Sequence, residues 1–248
     1  TEEERLLGVS LTGIMDNRLT SGQLGTDKLK DALTEMRKIA VQTNLELAKK
    51  LGIQPSVAIT AVKPSGTVSA LVDSASGIHA RHAPYYVRAV RSDKKDPLAQ
   101  MMIESGFYYE PDQMAAENLV FFFPVKAPKH AIMRKDFQAI DQLELWLTYQ
   151  RYWTDHKPSI TVTVKEHEWL DAGAWVYRNF EWVSGIAFLP YSDHSYAQAP
   201  FTDCTEERYK ELMAKMPDHV DWQKLINYEK TDATTGSQEL ACAAGCEI

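Results

Sequence analysis

DKLKDALTEMRKIAVQTNLELAKKLGIQPSVAITAV, residues 27–62, is the stretch on which the fold class turns. Leu29, Leu33, Met36, Ala40, Leu47 and Leu51 recur at three- and four-residue steps, with Thr43 in the gap and Lys and Glu opposite. That period predicts a long amphipathic helix from Asp27 to Leu51. Gly52 stands where a left-handed cap would stop it. Val57 to Val62 is short, apolar and β-branched, the pattern of a buried strand. Helix, short loop and strand in succession predict an α/β architecture.

The pattern continues outward. Asp96-Pro97 supplies an N-cap and an N1 proline for a helix ending near Gly106. Leu119 to Val125 reads as a hydrophobic strand closed off by Pro124 and Pro128, and Phe137 to about Asp155 as a helix. Ser159 to Val164 alternates and predicts a strand, Glu166 to Asn179 a helix, and Ser184 to Leu189 another strand. Thr205-Glu206-Glu207 caps a helix to about Met216, with a short one from Asp218 to Asn227. Thr231 to Gln238 has no periodicity and no bulky apolar group, so residues 231–248 read as a flexible tail on a body covering 1–230.

Composition narrows the function classes. The 248 residues are 44% hydrophobic and 25% charged, enough to bury a core without disulfide or metal staples. Lys and Arg total 27 against 34 Asp and Glu, a net charge of −7, so no global cationic field grips a nucleic-acid backbone. No apolar run approaches the roughly 20 residues of a membrane span. The first residues, Thr1-Glu2-Glu3-Glu4-Arg5, are acidic and show no secretory pattern; a chain opening on Thr is expected to be processed or the tail of something longer. Three cysteines, Cys204, Cys242 and Cys246, are poor material for a disulfide framework and predict a reducing, cytoplasmic setting.

Three segments carry candidate chemistry. Lys63-Pro64-Ser65-Gly66-Thr67-Val68-Ser69 follows a strand and opens a short helix. Its free amides and the hydroxyls of Ser65, Thr67 and Ser69 suit a phosphate cradle; an ordinary strand–turn–helix junction fits the same spacing. It is not a Walker loop, because the glycine spacing and trailing lysine are wrong. His79 to Arg91 holds three arginines, two histidines and no acid. These either complete the binding of a triphosphate or form a basic edge strand paired with acidic neighbours. His79 and His82 lack the further ligands a metal would need. Cys242 and Cys246, separated by three small residues beyond the linker, read as a redox pair, with incidental surface thiols as the alternative. Asp193, His194 and Ser195 are adjacent in sequence and read as a polar loop, since triad partners converge from separate elements. Cys204 has no basic neighbour evident in the sequence and reads as inert.

Gly8-Val9-Ser10-Leu11-Thr12-Gly13-Ile14-Met15-Asp16, Lys63 to Ser69, Ser76-Gly77-Ile78-His79, Phe188-Leu189-Pro190-Tyr191, Tyr196-x-Gln198-Ala199-Pro200 and the Cys-x-x-x-Cys tail occur in one order. Together they resemble class II, adenosylcobalamin-dependent ribonucleoside-triphosphate reductases. The resemblance implies the C-terminal portion of a ten-stranded α/β barrel with a flexible tail. It implies that Pro64, Ser65, Gly66, Thr67, Val68 and Ser69 hold the substrate's phosphates, and that Cys242 and Cys246 shuttle electrons recharged by thioredoxin or a similar reductant. Adenosylcobalamin is the implied cofactor, with no contacts assigned and no metal site. A ribonucleoside triphosphate is the implied substrate, with a diphosphate as the alternative. The chain would act as a monomer or homodimer in a bacterium or phage host, without direct DNA or membrane contact. The radical cysteine implied by the family has no counterpart here, because no cysteine precedes Cys204. The chain is therefore expected to be inactive alone. A nucleotide-phosphate-binding module with a redox-sensing tail is the alternative outside enzyme chemistry.

Overall fold

The structure, a computed structural model, describes residues 3–63, 68–192 and 196–229. In chain order the strands and helices are β1 (Leu6–Ser10), α1 (Thr26–Leu51), β2 (Ala58–Ala61), α2 (Val68–Leu71), β3 (Tyr85–Asp93), α3 (Pro97–Glu104), β4 (Tyr109–Pro111) and β5 (Asn118–Lys126). They continue as α4 (Ala139–Tyr152), β6 (Thr161–Val164), α5 (Trp169–Arg178), β7 (Ala187–Pro190), β8 (Phe201–Asp203), α6 (Glu206–Met213) and α7 (Leu225–Tyr228). They fall into two compact units, residues 3–81 with 128–192, and residues 82–127 with 196–229.

The first unit is built from two parallel strand pairs, β1 with β2 and β6 with β7, each joined through a helix. Parallel neighbours need such a crossover. The segment before β6 runs beside β2: the amides of Asp155 and His156 donate to Thr60 O, and that of Ser159 to Val62 O. Ala139, Leu143, Trp146 and Tyr149 make a fully buried stripe on α4, packed with Leu29, Leu33, Val62, Ile78, Val162 and Trp175. Polar tips in this core find partners, as buried Tyr and Trp require. Trp146 Nε1 donates to Pro158 O at 2.8 Å, Trp153 Nε1 to Ala61 O at 2.7 Å, and the Tyr149 hydroxyl to Thr20 O at 2.8 Å.

The expected α1 is present, and Gly52 closes it in the left-handed region at φ 68°. Its buried face runs from Leu29 and Leu33 through the half-buried Ala40 and Asn44 to Ala48. Leu29 and Leu33 lie in the core, whereas Leu47 and Leu51 are exposed. Near the end of the helix the covered line falls on Ala48, beside Leu47, and Asn44 bonds the Ser56 backbone, so Leu47 and Leu51 are left off the buried face.

The second unit is an antiparallel sheet in the order β4-β5-β3-β8, with Ala99, Met102, Leu119 and Phe121 as a small core. Two expectations change here. Pro124 lies inside β5, opposite Val87, and does not end the strand. The Phe122 amide donates toward β4 (to Tyr108 O) and the Ala127 amide across to Pro84 O, so even positions face the β4 side. β4 pairs only with Leu119–Phe121, which leaves no partner there for the N–H that Pro124 lacks. The basic segment is the second correction: β3 lies between β5 and β8 and is no edge strand.

Candidate functional site

Because β1 and β2 are parallel, their carboxyl ends lie side by side, and the Lys63 amide donates to Ser10 Oγ at 3.0 Å. Pro64, Ser65, Gly66 and Thr67 lie outside the described residues. Of the expected phosphate loop, Val68 and Ser69 are described as the first residues of α2, Val68 exposed and Ser69 buried.

The chain beyond α2 is tightly held. The Ser74 amide donates to Ser69 O at 2.8 Å, and Ser74 Oγ lies 3.2 Å from Thr12 Oγ1. The Gly13 amide donates to Ala75 O at 2.8 Å. Gly13 is required at this crossing. Its φ is 69°, and a Cβ there would stand 3.3 Å from Ser74 Cβ.

Beside it sits an ion pair. Arg81, 5% exposed, donates through Nε to Asp16 Oδ1 at 2.9 Å and through Nη2 to Asp16 Oδ2 at 2.8 Å. The same guanidinium reaches Asp73 Oδ1 at 3.2 Å and Asp73 O at 2.6 Å. Asp16 Oδ2 also accepts the Ala75 amide at 2.7 Å. Arg81 is thus engaged by carboxylates, the paired arrangement that was the alternative to triphosphate binding. Arg91 is likewise held by Asp112 Oδ2 at 3.1 Å and Gln198 O at 3.0 Å, and the Arg88 guanidinium lies 5.9 Å from the Phe201 ring centroid.

His79 is a structural imidazole. Its Nε2 accepts the Thr161 amide at 3.0 Å, which requires the proton on Nδ1, donated to Ser76 O at 2.9 Å. Burial holds its pKa below the usual imidazole value, against the opposing pull of the Ser76 carbonyl. Gln142 completes this station: its Nε2 donates to Ile78 O and Thr161 O, tying the Ser76–His79 turn to β6. A second organiser is Asp155. Its Oδ2 accepts the Ile59 amide at 3.0 Å and the Thr60 amide at 3.3 Å, and Oδ1 pairs with Arg37. Burial would raise its pKa, but the Ile59 amide, the Arg37 guanidinium and the Thr60 amide outweigh it and hold the carboxyl below its usual range.

Burial raises the Cys204 thiol pKa; Arg208 pulls it down and Asp203 adds to the rise, which fits an inert cysteine. Among the described residues no group of three or more His, Cys, Asp or Glu could hold a metal, and no helix is long and apolar enough to cross a membrane. Cys242, Cys246 and Asp193–Ser195 lie outside the described residues, as does the whole 231–248 tail. Gln142, Asp73 and Asp155 were not singled out by sequence: the partners of Gln142 and Asp155 include residues distant in the chain, and Asp73, eight residues before Arg81, carries no recognisable spacing.

No protein-family model matches the chain. A protein of Euglena gracilis named adenosylcobalamin-dependent ribonucleoside-triphosphate reductase is 33% identical over 223 residues, covering 87% of this chain and 30% of its own length. A Lactobacillus acidophilus protein of the same name is 27% identical over 248 residues, covering 89% of this chain and 33% of its own. The chain is a homologue of the class II ribonucleotide reductases. In fold it matches the crystal structure of a B12-dependent class II reductase with a TM-score of 0.72 and 23% identity, over 84% of this chain and 29% of that one. The α/β fold class expected from the sequence is thereby borne out. The chain spans about a third of the length of the reductases it matches. These relatives include a eukaryote, so the likeness to class II reductases does not carry the bacterial or phage origin expected from the sequence.

Proposed function

We propose that this chain supplies the substrate-phosphate loop and the reducing dithiol of an adenosylcobalamin-dependent reductase acting on ribonucleoside triphosphates. The observation that carries the reading is the pairing of the β1 and β2 carboxyl ends, with Lys63 anchored on Ser10 and α2 beginning at Val68. Ligands of parallel α/β sheets sit outside strand carboxyl ends, and amides at a helix start favour anions. Pro64, Ser65, Gly66, Thr67, Val68 and Ser69 would present those donors. The names of the Euglena and Lactobacillus relatives support the substrate class and cofactor.

Homolysis of the Co–C bond is the chemistry adenosylcobalamin supplies when bound. A cavity of about 210 Å³ lined by Glu104, His219, Lys224 and Tyr228 is smaller than the roughly 300–1,000 Å³ of small-molecule sites and does not fit a corrinoid. That cavity therefore does not hold the group. Replacing the ribose 2′-hydroxyl by hydrogen, with the oxygen leaving as water, takes two electrons and two protons. A Cys242–Cys246 dithiol provides both and becomes a disulfide, which thioredoxin or a similar dithiol reduces again. No cysteine precedes Cys204, so we place turnover in the intact protein that carries this chain.

The test is deoxyribonucleotide formation by that intact protein with adenosylcobalamin, a ribonucleoside triphosphate and thioredoxin. Cys242→Ser or Cys246→Ser should abolish multiple turnover with thioredoxin and leave turnover driven by dithiothreitol. Unchanged thioredoxin-driven turnover overturns the relay. Nucleotide binding without reduction under every reductant marks a binding module in place of an enzyme.

A further inference from the structure

We propose that the outer face of α5 pairs with the same face of a second copy of this chain, the two helices running antiparallel about a two-fold axis. The inner side of α5 belongs to the core: Ala172 and Trp175 are buried, and Trp175 Nε1 donates to Glu144 Oε1 at 2.6 Å. On the opposite side stand Leu170 and Tyr177, 88% and 86% exposed, with Gly173 and Ala174 exposed between them. That spacing of i, i+3, i+4 and i+7 is the pattern of a covered helix face, here turned to solvent. Phe180 follows, also exposed, and the Trp169 ring lies 6.4 Å from that of Phe188 on β7. A contiguous exposed apolar patch of this kind marks an interaction surface. Gly173 supports the same reading. A glycine inside a helix weakens it, and a Cβ at Gly173 would meet nothing within 4 Å, so packing inside the described chain does not account for the residue. A second helix crossing there does, because two backbones approach closely where no side chain stands between them.

The partner is a second copy because the pattern reads alike in both directions. A two-fold axis between antiparallel helices sets each residue before the axis against one equally far beyond it on the partner. Leu170 with Tyr177, Asp171 with Arg178, and Trp169 with Phe180 all have midpoints within half a residue of Ala174. One axis beside Ala174 therefore opposes all three pairs, each of them twice. Asp171 and Arg178 are seven residues apart, so both lie on one flank of the ridge, and both are exposed. Across the axis each carboxylate meets the other copy's guanidinium, a charge complementarity that a face docking an unrelated segment does not need. Fully covered, these side chains bury roughly 1,000 Å² over both copies, the size of a weak, exchanging dimer.

The experiment is sedimentation velocity of the intact protein that carries this chain, from about 5 to about 300 μM, the range in which so small an interface associates. Wild type should pass from monomer to dimer as concentration rises. Asp171→Arg sets like charges against Arg178 twice over and should weaken association at least about tenfold. Asp171→Arg combined with Arg178→Asp restores opposite charges in the same register and should return affinity to within about threefold of wild type. Gly173→Leu should weaken association about tenfold while the melting midpoint holds or rises, a combination that a purely structural glycine would not give. A protein that stays monomeric overturns the proposal, its α5 face being bare or covered by the protein's own remaining residues. A dimer indifferent to Asp171→Arg and Gly173→Leu joins through another face and overturns it equally. So does a double variant that associates no better than Asp171→Arg alone. Unfolding of Asp171→Arg would place that carboxylate in the chain's own fold and count against the pairing. None of these outcomes bears on the phosphate loop.

Discussion

Replacing Asp155 by alanine separates two ways in which one carboxylate can stabilise this fold. Its Oδ2 accepts the amides of Ile59 and Thr60, both residues being buried in β2, while Oδ1 faces Arg37, whose side chain is 40% exposed. A buried amide left without an acceptor costs about 1–3 kcal/mol. The Ile59 bond, at 3.0 Å, is the better of the two; the Thr60 bond, at 3.3 Å, is the weaker. Asp155→Ala should therefore cost about 2–4 kcal/mol. Arg37→Met removes the ion pair on the more exposed side of the carboxylate and leaves both amide bonds in place, so it should cost about 1 kcal/mol. Urea denaturation followed by tryptophan fluorescence measures both, with Trp153 two residues from the substituted position. The pH dependence has a definite sign. The folded pKa of Asp155 lies below its ordinary 3.8, so its contribution is complete above that value and disappears as pH falls through the folded pKa. Equal losses in the two variants, or an unchanged midpoint in Asp155→Ala, would refute the assignment of the stability to the β2 amides.

His79 gives the complementary dependence, because its pKa is lowered from 6.5 by burial: the unfolded chain takes up the proton first, and stability falls as pH drops below about 6.5. His79→Ala should lower stability at pH 7.5 and flatten that slope, as read from denaturation midpoints between pH 5 and 7.5; a slope unchanged from wild type would contradict the neutral, doubly bonded imidazole. Gly13→Ala should cost about 1–2 kcal/mol by thermal or urea unfolding, since alanine pays the left-handed penalty at φ 69° and presses on Ser74. A stabilising effect there would mean the crossing is looser than its geometry.

The architecture was legible where a period and a boundary signal agreed. The stripe from Leu29, the cap at Gly52 and the Asp96-Pro97 start, where the Asp96 side chain accepts the Leu98 amide, all appear as expected. A period tells which side of a helix is apolar but not which of two adjacent positions its neighbours cover, which is why Ala48 is buried and Leu47 exposed. Pairing was less accessible. β3 acquires its second neighbour from Phe201–Asp203, far along the chain, so a basic strand with an edge-like sequence lies inside a sheet. The site divides along the same line. Lys63 and Ser69 could be picked out from strand, turn and helix signals in series. The use of Arg81 could not, because its carboxylate lies 65 residues earlier and charge counting does not distinguish a solvated arginine from a buried one. Gly13 and Asp16 entered through a family resemblance, and only the crossing with Ser74–Ala75 gives a physical reason for either.

The most direct measurement is the structure of the intact protein with a ribonucleoside triphosphate bound. Phosphate oxygens should lie within about 3 Å of the amides of Gly66 to Ser69. A triphosphate bound elsewhere, with those amides donating to carbonyls of the protein itself, would contradict the account.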